Sequence, residues 1–278
     1  MSQPAVVDPD PPEVTLPSLS PSRAGDFKSC PLRYRLRVID KLPEPPSLAA
    51  VRGTLVHAVL EALFDLAPPG RTLEAAQSML PGAWAALAEQ EPEVTPLFEG
   101  AAEGDEAAWL ASAEVLLASY FDLEDPTRLA PAGREERVET VLDDRLLLRG
   151  IIDRLDIAPD GAIRVVDYKT GSSPGEMWEA KALFQLKFYA LVLWRTRGVV
   201  PAVLQLLYLA DRKRLTYSPS EPELLAMERQ LLALGEAVTK ARDSGDFRPH
   251  PSALCGFCDF KPLCPAHGGT PPPYPLAH

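Results

Sequence analysis

Two hydrophobic periods divide the chain. Over Gly53–Leu66 apolar residues recur every three to four positions, with Leu60, Leu63 and Phe64 on one stripe and His57 at its edge, one turn before Glu61. That spacing predicts a helix. Alanine-rich stretches over 72–90 and 105–123 predict two more. From Glu135 the period shortens: Arg137–Leu142, Leu146–Ile157, Ile163–Tyr168 and Val203–Ala210 are rich in Val, Ile, Leu and Tyr and predict strands. A helix over Met177–Arg197 separates the last two strands, and another over Glu221–Ser244 precedes a Cys-containing segment. Ser20 suits an N-cap and Pro21 the first helical position. Residues 1–17 and 269–278 are proline-rich without a period, as disordered tails are. Residues 18–268 are left as one domain of α/β (α+β mixed) class, with an N-terminal helical region and no internal repeat.

Composition sets limits on function. The 278 residues are 46% hydrophobic and 24% charged, which excludes wholesale disorder and a membrane bundle. No apolar run approaches the roughly 20 residues that cross a bilayer, so no membrane contact and a cytoplasmic location are expected. The net charge of −11 argues at face value against a polyanionic partner. Its distribution weakens that argument, because seven acids in Glu89–Glu106 and three in Met1–Pro17 carry −10 of it. Within the near-neutral remainder, Lys28, Arg33, Arg35, Arg37 and Lys41 against Asp40 make a basic segment able to hold phosphates, or else a solvated helix face.

Pro159-Asp160-Gly161 is a turn signal between the two best strands. Matching apolar positions sets Ile157 opposite Ile163, Leu155 opposite Val165 and Asp153 opposite Asp167, since a one-residue slip would oppose the wrong faces. One face then carries Ile151, Asp153, Leu155 and Ile157; the other carries Arg154, Asp156, Arg164 and Tyr168 and suits partial solvation. Two carboxylates about 5 Å apart at Cβ repel unless something compensates. A hard divalent ion, Mg²⁺ or Mn²⁺, would do so, and so would a structural ion network through Lys169 and Arg154. The hairpin alone leaves both open.

Four ordered blocks narrow the choice. Gly150-Ile151-Ile152-Asp153-Arg154-Leu155-Asp156 and Asp167-Tyr168-Lys169-Thr170-Gly171 resemble the G-x-x-D-R-x-D and D-Y-K-T-G blocks of RecB-like nucleases, within the PD-(D/E)XK superfamily. Gly53-Thr54-Leu55-Val56-His57 resembles that family's G-x-x-x-H helix, and Gln185-Leu186-Lys187-Phe188-Tyr189 its Q-x-x-x-Y helix. The resemblance implies a restriction-endonuclease-like core, a central mixed sheet flanked by helices. It also implies a Mg²⁺- or Mn²⁺-dependent DNA nuclease with His57, Asp153 and Asp167 as metal ligands, Lys169 as the catalytic lysine, and Gln185 and Tyr189 in the same site.

All four cysteines fall in one pattern: Cys30, then Cys255, Cys258 and Cys264. A disulfide framework does not suit a cytosolic chain of this size, and a four-cysteine metal site does. Ligand count alone does not separate zinc from an iron–sulfur cluster. Here the resemblance is to a subset of RecB-like nucleases, similar to AddB and CRISPR-adaptation nuclease domains, with one cysteine before the nuclease core and three after it. It implies a [4Fe–4S] cluster; His250 and His267 are expected at the surface. Taken together, the implied function is exonucleolytic hydrolysis of phosphodiester bonds at single-stranded DNA ends, in repair or recombination. No G-x-x-x-x-G-K-[ST] phosphate loop is present, which leaves any unwinding to a separate helicase. The rival readings are a catalytically silent DNA-binding module with the same fold and cluster, and a metal-dependent hydrolase of another substrate.

Overall fold

The computed structural model describes residues 16–98, 105–173 and 175–275. In chain order its elements are β1 (Ser18–Leu19), α1 (Pro21–Ser29), α2 (Pro31–Tyr34), α3 (Leu48–Leu63), α4 (Leu73–Gln90), α5 (Glu106–Leu123), β2 (Gly133–Leu142), β3 (Leu146–Ile157), β4 (Ile163–Lys169), α6 (Glu176–Arg197), β5 (Val203–Tyr208), β6 (Lys213–Tyr217) and α7 (Glu221–Ser244). Helix ends follow local chemistry. The Ser20, Ser47 and Thr72 side chains accept the first free amides of α1, α3 and α4. Ser220 and Glu223 cap α7 reciprocally. Gly198 and Gly245, both with positive φ, end α6 and α7 where a Cβ would be strained.

Among the described residues the strands form one mixed sheet, ordered β1-β3-β4-β5-β6 with β2 also on β3. The hairpin register is Ile157 to Ile163 and Leu155 to Val165, as the apolar matching predicts. β2 covers one edge of β3 along most of its length. The other edge of β3 is shared, with β1 at Leu147–Leu148 and β4 from Arg154 onward. Between them, residues 149–153 have no ladder partner on that edge.

Helices cover both faces of the sheet. On one, α1, α6 and α7 bury Leu148, Leu155, Val165 and Leu206; on the other, α3, α4 and α5 bury Val166, Tyr168 and Leu207. The second face is partly solvated at Asp156 and Arg164, as predicted, but Arg154 and Tyr168 on it are buried. The alternation expected along β3 also shifts. Ile152 is buried whereas Ile151 and Ile157 are more than a third exposed, so the buried side changes parity between Ile152 and Leu155. The change coincides with a lapse in β2–β3 pairing, which runs to Arg134–Arg154 and resumes at Glu136–Ile152, with Glu135 between them at φ 44°.

Some residues of both predicted tails are held by the fold. Pro17 accepts a hydrogen bond from Leu147 N, and β1 begins at Ser18; residues 1–15 lie outside the described ones. At the other end Tyr274 packs on Phe247, lies under the Arg35 guanidinium and donates to Arg242 O. Residues 269–275 are thus bound to the domain, while 276–278 lie outside the described residues.

Candidate active site

The motif residues meet where β3, β4, α3 and α6 converge. Two glycines make that approach geometrically possible. A Cβ on Gly150 would stand 2.6 Å from the Tyr189 ring, and one on Gly53 would stand 3.2 Å from Thr170 Oγ1. The first glycine lets α6 close onto β3; the second lets α3 close onto the end of β4.

His57, on α3, holds the Tyr168 carbonyl through Nε2 at 3.0 Å. A carbonyl can only accept, so Nε2 carries the proton and Nδ1 presents its lone pair. Nδ1 faces Asp153 Oδ2 at 3.5 Å and Glu135 Oε1 at 4.0 Å. Among the described residues these three form the one group of His, Cys, Asp or Glu donors gathered within 4.8 Å. Asp153 Oδ2 also accepts the Tyr168 amide at 2.8 Å. Its side chain thereby takes an amide at the point where the β3–β4 ladder stops.

Asp167, 2% exposed, stands beside this group. Its Oδ2 lies 2.6 Å from Lys169 Nζ and its Oδ1 accepts from Gln185 Nε2 at 2.7 Å. Gln185 Oε1 in turn accepts from Lys169 at 3.0 Å, and its amide lies 3.2 Å from the Tyr189 hydroxyl. The one-turn spacing of Gln185 and Tyr189 on α6 places both at the same point. The structure thus brings together every nuclease-motif residue singled out from the sequence, and separates them into two sets. His57 and Asp153 share a donor group with Glu135; Asp167 is engaged by Lys169 and Gln185.

Glu135 is the residue that sequence reasoning missed. The predicted strand begins at Arg137, whereas β2 begins at Gly133 and carries Glu135 across from Asp153. The run Arg134-Glu135-Glu136-Arg137 has no apolar alternation to announce a strand. Its two adjacent acids ahead of the carboxylate hairpin were the available signal.

The electrostatics agree on one point: this group lacks positive charge. Burial, then the neighbouring Asp167, pushes the Asp153 carboxyl above its ordinary range. Burial raises Glu135 likewise, with Glu61 and Asp167 adding to it. Burial lowers His57 and keeps its imidazole neutral. A neutral imidazole nitrogen and two carboxylates suit a hard divalent cation such as Mg²⁺ or Mn²⁺.

One residue further along β3 the chemistry is reversed. Arg154 pairs with Glu124 at 2.8 Å and Asp156 at 3.2 Å, and donates to the Tyr168 hydroxyl at 2.8 Å. Arg164 joins the same two acids. The ion network anticipated between Arg154 and the carboxylate pair is therefore absent, because Arg154 points to the opposite face. Among the described residues Lys169 supplies that neutralisation, through Asp167.

The basic segment is also more self-compensated than its composition suggests. Arg33 and Arg37 both reach Asp26, Arg37 also binds Glu44, and buried Arg35 pairs with Asp40 at 3.1 Å. Asp26 and Glu44 lie just outside the stretch counted from sequence.

All four cysteines line one small cavity of about 40 Å³, together with His250 and His267 at its exposed rim. Leu32, Leu36 and Phe260 form a small apolar cluster beneath Cys30, Cys258 and Cys264. The His250 amide points at Cys30 Sγ and the Ser252 amide at Cys255 Sγ. Burial raises the Cys258 thiol.

Known proteins resemble this chain along much of its length. The chain is similar to the gene 69 protein of Mycobacterium phage D29, 30% identical over 91% of this chain and 98% of that one. It is also similar to an ATP-dependent helicase/deoxyribonuclease of Streptococcus equi subsp. zooepidemicus strain H70, 31% identical over 56% of this chain and only 14% of that much longer one. A crystal structure from Eubacterium rectale that carries an exonuclease name has the same fold, with a TM-score of 0.55 over 86% of each chain at 14% identity. The profile of the PD-(D/E)XK nuclease superfamily matches residues 18–265, the span holding every motif residue described above. The chain belongs to the PD-(D/E)XK nuclease superfamily.

Proposed function

We propose that residues 18–268 form a single nuclease domain acting as a divalent-metal-dependent DNA exonuclease on single-stranded ends. The observation that carries this reading is the His57–Glu135–Asp153 donor group standing beside the Asp167–Lys169–Gln185 chain. His57 Nδ1, Asp153 and Glu135 would hold Mg²⁺ or Mn²⁺, with Asp167 as the adjoining carboxylate. Such an ion, when bound, neutralises charge developing on the phosphate and makes a water more acidic. The chain's own groups do the rest. Lys169 directs its ammonium towards the reacting phosphate and water, and Gln185 and Asp167 fix the position of that ammonium. Tyr189 holds the Gln185 amide from its far side. Exonuclease action and a separate helicase partner are supported by the Eubacterium and Streptococcus proteins' names, and a role in repair or recombination fits both.

The four cysteines are proposed to hold a [4Fe–4S] cluster. They surround a cavity that residues from both ends of the domain share.

Incubation with Mg²⁺ or Mn²⁺ and 5′- or 3′-labelled single- and double-stranded DNA tests the activity. Short products released progressively from one single-stranded end are expected; cleavage of a circular single strand would overturn the exonuclease reading. Absorbance near roughly 400 nm tests the cluster. Colourless protein containing one zinc per chain would overturn it.

A further inference from the structure

A groove of about 1050 Å³ opens directly from the candidate site. Gln185, Tyr189 and Gly150 form its inner end. It runs between α1 and the part of β3 that lacks a ladder partner on its outer edge. Five arginines line it, Arg23, Arg33, Arg37, Arg137 and Arg149, against two acids, Asp26 and Glu139, in a chain whose net charge is −11. Asp26 is already held by Arg33 and Arg37. The side chains of Arg137 and Arg149 are exposed, on adjacent strands, and make no ion pair or hydrogen bond among the described residues, although Glu139 is the cross-strand neighbour of Arg149.

The groove does not stop at Arg33. Ser29 and Arg33 also line the cysteine cavity, so the two depressions share a wall. In the turn between Cys255 and Cys258 stands Phe257, 86% exposed, the most exposed large apolar side chain among the described residues. A groove with an excess of arginine, two of them unpaired, and an exposed aromatic ring on the segment that walls the adjoining cavity is the chemistry that binds a single nucleic-acid strand, through phosphates and stacked bases.

We propose that this groove is the track for one DNA strand leaving the active site, with Arg137 and Arg149 as phosphate contacts and Phe257 as a stacking platform for a base beyond Arg33. The inference rests on the nuclease reading and adds to it the strand's path and the reason for single-strand preference. A duplex keeps its bases stacked and offers Phe257 nothing.

Binding of a fluorescent 20-nucleotide oligothymidylate, measured in EDTA over about 50–300 mM salt, tests this without cleavage. The double variant Arg137→Ala/Arg149→Ala is expected to bind about ten-fold more weakly. Its plot of log affinity against log salt should be shallower by about 1.4, two single-strand phosphate contacts' worth. Phe257→Ala should weaken the single strand at least about five-fold and the matching duplex hardly at all, with Phe257→Tyr restoring it. Melting temperature and Mn²⁺ affinity should match the parent in every variant, showing that fold and metal group are intact. An unchanged salt slope in the double variant overturns the track, and equal loss on single strand and duplex, or no rescue by tyrosine, overturns the platform. A parent that neither binds nor cleaves DNA would instead overturn the nuclease reading, and the track with it.

Discussion

Asp153 and Arg154 are neighbours on one strand and live in opposite electrostatic worlds. Arg154 faces α3 and α5, wholly buried, and every part of its guanidinium is answered: Glu124, Asp156 and the Tyr168 hydroxyl, with Phe64 and Tyr168 rings alongside. Asp153 faces a group of its own sign, with Glu135 and Asp167 near it and one lysine already committed to Asp167. A charge that is buried and compensated belongs to the architecture. One that is buried and left short of a counter-charge stores repulsion that a cation can relieve. The same seven-residue motif therefore encodes a wall and a site, separated by the pleat of a single strand.

The sharpest way to break that contrast is Arg154→Ala. It leaves Glu124 and Asp156 to Arg164 alone and empties a wholly buried site, and removing one partner of such a network costs up to about 3–5 kcal/mol. Chemical denaturation should show the loss, with DNA cleavage falling only as the folded fraction falls. Asp153→Asn should do the reverse. Cleavage in Mn²⁺ should drop by about 10²-fold or more, while metal-free stability holds or rises, because a repelling charge has gone. Near-normal activity in this variant would remove the assignment of the site. Lys169→Ala is expected to match its loss of rate.

Gly150→Ala tests the joint between wall and site. The new methyl must displace Tyr189, at about 1–3 kcal/mol of overpacking, and Tyr189 positions Gln185. The loss should appear in stability and in turnover together, whereas Asp153→Asn separates them.

The smallest effect is in pH. Because the folded Asp153 carboxyl is raised above its unfolded value, the metal-free protein gains from it fully only below the unfolded value near about 4 and loses that gain as pH rises through the folded one. The stability difference between parent and Asp153→Asn in EDTA should therefore shift in favour of the variant as pH rises. Mn²⁺, which needs the deprotonated carboxylate, should bind the parent more tightly over the same rise. A difference that does not change with pH would mean Asp153 ionises as an ordinary surface acid.

What the sequence disclosed followed from local rules. The hairpin register was legible because a Pro-Asp-Gly turn and matched apolar positions allow only one alignment, and the helices expected over Met177–Arg197 and Glu221–Ser244 match α6 and α7. Glu135 was not, because its role depends on a lapse in pairing and a left-handed residue that no periodicity encodes. Strand β6, Lys-Arg-Leu-Thr-Tyr, was hidden by the charge that suits a sheet edge. The docking of Tyr274 on Arg35 and Phe247 was hidden because all its contacts are long-range. Motif blocks located the site; the partners that neutralise or expose each charge came only from three dimensions.

The cavity shared by all four cysteines also fixes an order of events in time. Cys30 is made 225 residues before Cys255, so at about 5–20 residues per second it waits roughly 10–45 s for the other wall of its cavity to be synthesised. Nothing can be enclosed there during that interval, and filling the cavity becomes the last step in the maturation of a domain whose strands have already emerged.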